Sequence, residues 1–216
     1  MNKRLVIAGA GGFGRGVYGW VTSSPRFLSE NGVSEVVFID DSPSAVELPG
    51  TVVSTVSEYA PVESDRVLCA VGIIEVRKRM VRDLSSRGAR FATFVDDRAV
   101  LCEGVRLGEG CIVCPGSVLS ADVRLGRHVH VNFNCSIGHD TAIGDFSTLS
   151  PSVNVMGEVE SGSAVFFGGS AAILPRLAVG SGAVIGAGAV VSRSVPDAQT
   201  VVGNPASALR KATPRA

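Results

Sequence analysis

Apolar residues recur with a period of six through the second half of the chain. Stepping by six from Leu101 meets Leu107, Val113, Leu119, Leu125, Val131, Ile137, Ile143, Leu149, Val155, Ser161, Phe167, Ile173, Val179, Ile185 and Val191, with Ser161 alone polar. The residue two before each mark is small or β-branched, as at Val105, Cys111, Ser117, Val123, Val129, Cys135 and Thr141, with Leu177 the bulky exception. Glycine follows the mark at 108, 126, 144, 162 and 180, eighteen apart. A six-residue period nested in an eighteen-residue one describes a triangular coil with three short faces, stacked into a parallel β-helix that buries the apolar column. Neither an amphipathic helix nor an alternating hairpin strand holds a count of six over residues 101–191, which amount to about five coils. Ser161 is expected to loosen one coil.

The first half is patterned differently. Leu5–Ala10 is an apolar run that predicts a strand, and a glycine loop, GAGGFG, follows it and leads into a helix over 16–23. EVVFIDD and Val67–Gly72 predict further strands. The segment IIEVRKRMVRDLSSRG has Ile74, Val76, Met80, Val81 and Leu84 at helical spacing, with Gly88 as its stop, and RFATFVD predicts a last strand. Strands alternating with helices imply a parallel sheet covered on its faces. Residues 1–96 thus read as an α/β Rossmann-like half domain, one mononucleotide-binding unit, and residues 97–216 as the all-β helix with a C-terminal tail.

GAGGFG has the G-x-G-x-x-G spacing that lets backbone amides approach a phosphate at a helix N-terminus, and Asp40, 26 residues beyond Gly14, is placed to accept hydrogen bonds from a ribose or base. The same loop also serves as a tight turn with nothing bound. A dehydrogenase needs a second mononucleotide half, which the chain lacks.

Twenty basic and twenty acidic residues balance, so no electrostatic footprint points to nucleic acid or an anionic membrane. The opening apolar run is too short to span a bilayer and is broken by glycine; a buried first strand and a cytoplasmic protein are expected. Five cysteines make no disulfide framework, and Cys111 and Cys114 fall on repeat positions as small buried thiols, so no metal is expected.

Of the three histidines, His128 and His130 read as packing residues. His139 stands between Ala121 and Gly157 in the eighteen-residue column, which leaves a recess around the imidazole. Acyl transfer from a thioester to an amine or hydroxyl needs a base, and imidazole titrates near neutral pH. Asp140 follows His139, but successive strand residues point to opposite sides, so their contact requires a corner or a second chain. Asp122, Asp140 and Glu158 share a column, an acidic strip that either favours a cationic amino sugar or is a solvated edge.

With the motifs GAGGFGR, FIDD, AVGIIEVRKR, NCSIGHDTAIGDFSTLSP and VVGNPA, the whole chain resembles the NeuD/PglD-like sugar acetyltransferases, hexapeptide-repeat enzymes with a left-handed β-helix. The resemblance implies a homotrimer with active sites between subunits, acetyl-CoA wedged between adjacent β-helices, and a nucleotide-linked amino sugar held by the N-terminal domain. It assigns catalysis to His139, with Asp140 as the acidic residue after it. Gly157, Gly168, Gly169 and Ala187 would line the acetyl-CoA channel, and Gly11, Gly12, Asp40, Asp41 and Gly72 would hold the nucleotide sugar. Ile73 and Ile74 stand where relatives often have Asn, and Phe13 where some have His. N-acetylation of the sugar amine is the leading expectation. O-acetylation of a sugar hydroxyl and a non-catalytic trimeric nucleotide-binding module are the alternatives.

Overall fold

A computed structural model describes residues 3–41 and 47–209; of the two domain ranges read from the sequence, 1, 2, 42–46 and the tail 210–216 lie outside it. The N-terminal part is a four-stranded parallel sheet in the order β3-β2-β1-β4, with β1 Lys3–Ala8, β2 Val33–Ile39, β3 Val52–Ser54 and β4 Asp65–Cys69. Leu5, Ile7, Phe38 and Leu68 face one side of it and Val6, Val37, Ile39 and Val67 the other; all are buried. Helix α1 (Gly12–Thr22) begins at the glycine loop itself, four residues earlier than expected, and α2 (Pro25–Asn31) takes Pro25 at its first turn, where a missing N–H costs nothing. Helix α3 spans Ile74–Ser86, and Gly88, at φ +82°, ends it.

RFATFVD is not a further strand of this sheet. Phe91 makes a single bridge to Val67, and Phe94–Val95 is already the first rung of the β-helix, paired with Ile112–Val113. Phe94 is drawn there because it completes the core between the two parts, its ring edge-on to Phe27 at 4.9 Å. The three-residue β3 lies in a stretch too short and polar to show a period.

From Phe94 onward the chain is a left-handed parallel β-helix. Its first wall runs from Phe94–Val95 through His130–Val131 and Phe166–Phe167 to Thr200–Val202, its second from Val100–Leu101 to Val190–Val191, and its third from Arg106–Leu107 to Ala178–Val179. Rungs at both ends thus extend the repeat beyond the apolar marks. The marked residues from Val113 on, Ser161 excepted, point inward and are buried, as are Cys111, Ser117, Val123 and the other small residues two before them. Ser161 stays in register between Ile143 and Val179, its hydroxyl donating to Gly162 O at 2.9 Å.

Every sixth residue from Gly104 to Gly188 has a left-handed backbone, including Asp122, His128, Asn134, Asp140, Phe146 and Glu158. That conformation costs non-glycine residues about 1–2 kcal/mol. Hydrogen bonds between coils hold it at each corner: Asp140 N donates to Ala121 O (3.0 Å) and Glu158 N to His139 O (2.8 Å). The first wall is covered by the N-terminal sheet and helices, so that Ile112, His130 and Thr148 are buried although they point outward from the prism. The outward positions of the second wall, Val100, Val118, Ser136, Asn154, Ala172 and Val190, carry no charge, whereas the third presents Arg106, Arg124 and Glu160.

Candidate active site

His139 and Asp140 form the corner between the second and third walls. The left-handed turn at Asp140 (φ +57°) swings its side chain round to its neighbour, and Asp140 Oδ2 lies 2.8 Å from His139 Nδ1. The contact that adjacent strand residues could not make is made by the corner, within one chain. With the carboxylate accepting from Nδ1–H, the lone pair is left on Nε2. The imidazole is 57% exposed, and Nε2 lies 2.6 Å from the position a Cβ on Gly157 would take. Glycine at 157 is therefore what lets the ring lie over the next coil.

Two of the three carboxylates of the acidic strip have side-chain partners. Asp140 is engaged by His139, and the column continues to Arg176, whose Nε donates to Glu158 Oε1 at 3.1 Å. The reading of three like charges stopped one coil short of the cation.

A second feature lies between the two parts of the chain, where a cavity of about 800 Å³ opens at the glycine loop. Gly11, Gly12, Asp40 and Gly72 line it together. Gly9 has φ +104°, and a Cβ at Gly14 would overlap the Gly9 carbonyl, so these two glycines shape the turn and seat the helix. Gly11 and Gly12 have open space before them. Gly11 caps α1 and Ile73 caps α3; neither helix has a side-chain cap, so two sets of unsatisfied N–H groups border one cavity. Asp40 Oδ2 accepts from Ala10 N at 2.6 Å, tying the carboxylate to the base of the loop. Asp41 does not join them: its Oδ1 accepts from the amide (3.0 Å) and hydroxyl (3.2 Å) of Ser57, and it is not part of the lining.

The opposite side of this cavity was missed in the sequence. It comes from the β-helix, from His130, Thr148 and Phe166 on the first wall and from Asn132 and Ser150 at the corner beyond it. These are two neighbouring eighteen-residue columns, and the second carries Asn132 and Ser150 where the corner after the third wall carries glycine throughout; those two polar residues were the available signal. His130 is fully enclosed, its ring 5.1 Å from Phe13, and burial together with Arg77 holds its pKa well below the usual range. His128 is a packing residue, stacked on Phe146 at 5.1 Å and edge-on to Phe91 at 4.8 Å.

The four residues expected along a cofactor channel separate into two groups. Gly157 shares the corner of His139. Gly168, Gly169 and Ala187 belong to the corner between the first and second walls, beside Ser150. A Cβ at Gly168 would sit 2.5 Å from Ala187 N, so this glycine serves coil stacking, while Gly169 and Ala187 are accessible. Cys111 and Cys114 are buried thiols, and among the described residues no group of His, Cys, Asp and Glu could hold a metal and no helix is long and apolar enough to cross a membrane.

A β-helix with an outward imidazole–carboxylate pair at one corner, joined to a glycine-loop cavity, defines a hexapeptide-repeat acyltransferase. Comparison with known proteins agrees. Residues 4–84 match the PglD N-terminal domain model. The chain is 30% identical over 210 residues to GDP-perosamine N-acetyltransferase of Escherichia coli, covering 92% of this chain and 95% of that one. It superposes on the acetyltransferase domain of PglB from Neisseria gonorrhoeae, solved with acetyl coenzyme A, with a TM-score of 0.87 at 28% identity, over 97% of this chain and all of the other. PerB from Caulobacter crescentus, solved with CoA and GDP-perosamine, gives 0.83 at 27% identity over 95% and 97%. The chain belongs to the NeuD/PglD-like family of sugar acetyltransferases.

Proposed function

We propose that the chain transfers the acetyl group of acetyl-CoA to the amino group of a nucleotide-linked amino sugar, with His139 as general base. The observation that carries this reading is the exposed His139–Asp140 pair, Nδ1 to Oδ2 at 2.8 Å, with Nε2 turned outward over Gly157. The sugar nitrogen attacks the thioester carbonyl, His139 Nε2 takes the proton that the nitrogen loses, and the thiol leaves with a proton in exchange. Asp140 fixes the tautomer and stabilises the imidazolium formed.

Residues 1–96 form the nucleotide-sugar module in this reading. The diphosphate lies at the uncapped starts of α1 and α3, against Gly11, Gly12 and Gly72, and Asp40 faces the ribose or base. The relatives solved with acetyl coenzyme A, and with CoA and GDP-perosamine, support both ligands.

The working unit is a homotrimer. The cavity reaches the corner between the first and second walls, and His139 stands at the other edge of the second wall, on the order of 15 Å away for one hexad of extended chain. Two chains meeting along their uncharged second walls bring His139 and Gly157 of one to Gly169, Ala187 and the cavity of the other.

The test is CoA release followed with a thiol reagent, with mass spectrometry of the product. Release that requires an amino-sugar nucleotide, adds one acetyl group to nitrogen, and falls by about 10²–10⁴-fold in His139→Ala supports the reading. Release with a hydroxyl acceptor but no amine replaces it with O-acetylation, and binding without release leaves a non-catalytic module.

A further inference from the structure

One of the two fully buried positions of α3, with Leu84, is an arginine. Arg77 lies one turn into the helix, its amide donating to Ile73 O at 2.9 Å, and its side chain is fully enclosed between α3 and the first wall. Nη1 donates to Val71 O (2.9 Å) and to His130 Nδ1 (3.0 Å), and Nη2 to Phe146 O (2.6 Å) and Thr148 Oγ1 (2.9 Å). Because a guanidinium only donates, His130 accepts at Nδ1 and is neutral. Nε has no partner.

Among the described residues no carboxylate pairs with Arg77, and burial lowers its pKa only to about 10, so it carries a full charge at neutral pH. A buried charge without a counter-ion is costly, and a cation near a helix N-terminus works against the helix dipole. Stability alone does not account for this residue. Its surroundings do. Val71, His130 and Thr148, which hold the guanidinium, all line the nucleotide cavity, and that lining includes Asp40 and Glu75 but no Lys or Arg. A diphosphate entering there meets amides and two carboxylates at the surface, and the nearest enclosed cation stands behind the wall.

We infer that Arg77 is a positioning residue of the nucleotide-sugar site. Its charge, applied from behind the wall, balances the ligand's diphosphate, and its planar fork holds the Val71–Ile74 loop to the β-helix at His130 and Thr148. This rests on the reading of the cavity as a nucleotide-sugar site.

The experiment is calorimetric titration of the intact protein with GDP, UDP and dTDP, and separately with acetyl-CoA, for wild type, Arg77→Met, Arg77→Lys and Thr148→Val, with melting temperatures recorded. Arg77→Met is expected to weaken the best-bound diphosphate by about tenfold or more and acetyl-CoA by less than about twofold, and Arg77→Lys, which keeps a cation but loses the planar fork, to recover only part of the loss. Diphosphate affinity within about twofold of wild type in Arg77→Met overturns the inference and leaves the cavity reading standing. So does an equal weakening of both ligands alongside a fallen melting temperature, the mark of a purely structural role. If Arg77→Met does not fold, Thr148→Val carries the test, with diphosphate binding about threefold weaker expected and no change contradicting it. A wild type that binds none of the three diphosphates refutes the cavity reading, and the inference with it.

Discussion

Single residues in this chain do their work through corners. Asp140 reaches His139 because the left-handed turn lets two consecutive side chains meet, and Gly157 makes room for the ring. The open surroundings of His139 were legible because its column neighbours are small; the Asp140 contact was left between a corner and a second chain, because strand alternation alone does not allow it. Arg77 was hidden by its own chemistry: a helical pattern of apolar residues assigns charges to solvent, and here a fully buried position is a guanidinium held by carbonyls and a histidine. His128 makes a prediction at this scale. Burial, then Arg77 and Arg127, push its pKa down to about 4, while in the unfolded chain it titrates near 6.5. Between those values the unfolded chain binds more protons, so stability falls as pH drops through that window and this contribution levels off below it. His128→Phe is sterically acceptable, since Phe146 occupies the same corner position one coil on at φ +60°. The variant should show a shallower decline in melting temperature from pH 7 to pH 5; an unchanged slope would assign the loss to other groups.

The elements divide by how local their causes are. The β-helix was legible almost rung by rung because each coil repeats the same demand: an apolar residue inward, a small one two before it, and room at the corner. What escaped the period were its ends, where Phe94–Val95 and Thr200–Val202 pair with the helix but lack the full pattern around them. The glycines after the apolar marks belong to coil stacking. A Cβ at Gly144 would meet the Gly162 carbonyl at 2.5 Å and Ser163 N at 2.6 Å, backbone that can yield only by parting two coils. Gly144→Ala should therefore destabilise the protein by about 1–3 kcal/mol, as overpacking does, read as a lower midpoint in denaturant unfolding. A midpoint unchanged from wild type would mean that the coils adjust without cost.

At the scale of the molecule, the sequence shows the glycine loop and the imidazole without showing that they stand apart. Glycine loop and imidazole each carry a local signature, but their separation across the second wall is a property of the assembled prism. The first-wall residues that complete the cavity, His130, Thr148 and Phe166, are outward positions that become lining only because the N-terminal sheet packs over them. The central claim is that one chain's cavity is served by another chain's base, and complementation between two inactive variants tests it most directly. His139→Ala removes the proposed base. Gly12→Glu, at a position with open space before it, fills the mouth of the cavity and sets a negative charge where the diphosphate is proposed to lie. Unfolded and refolded together in equal amounts, the pair should regain about a quarter of wild-type acetyl transfer, the share of random interfaces that unite an intact cavity with an intact histidine. Activity no greater than the sum of the two variants alone, in trimers shown to have mixed, would contradict it.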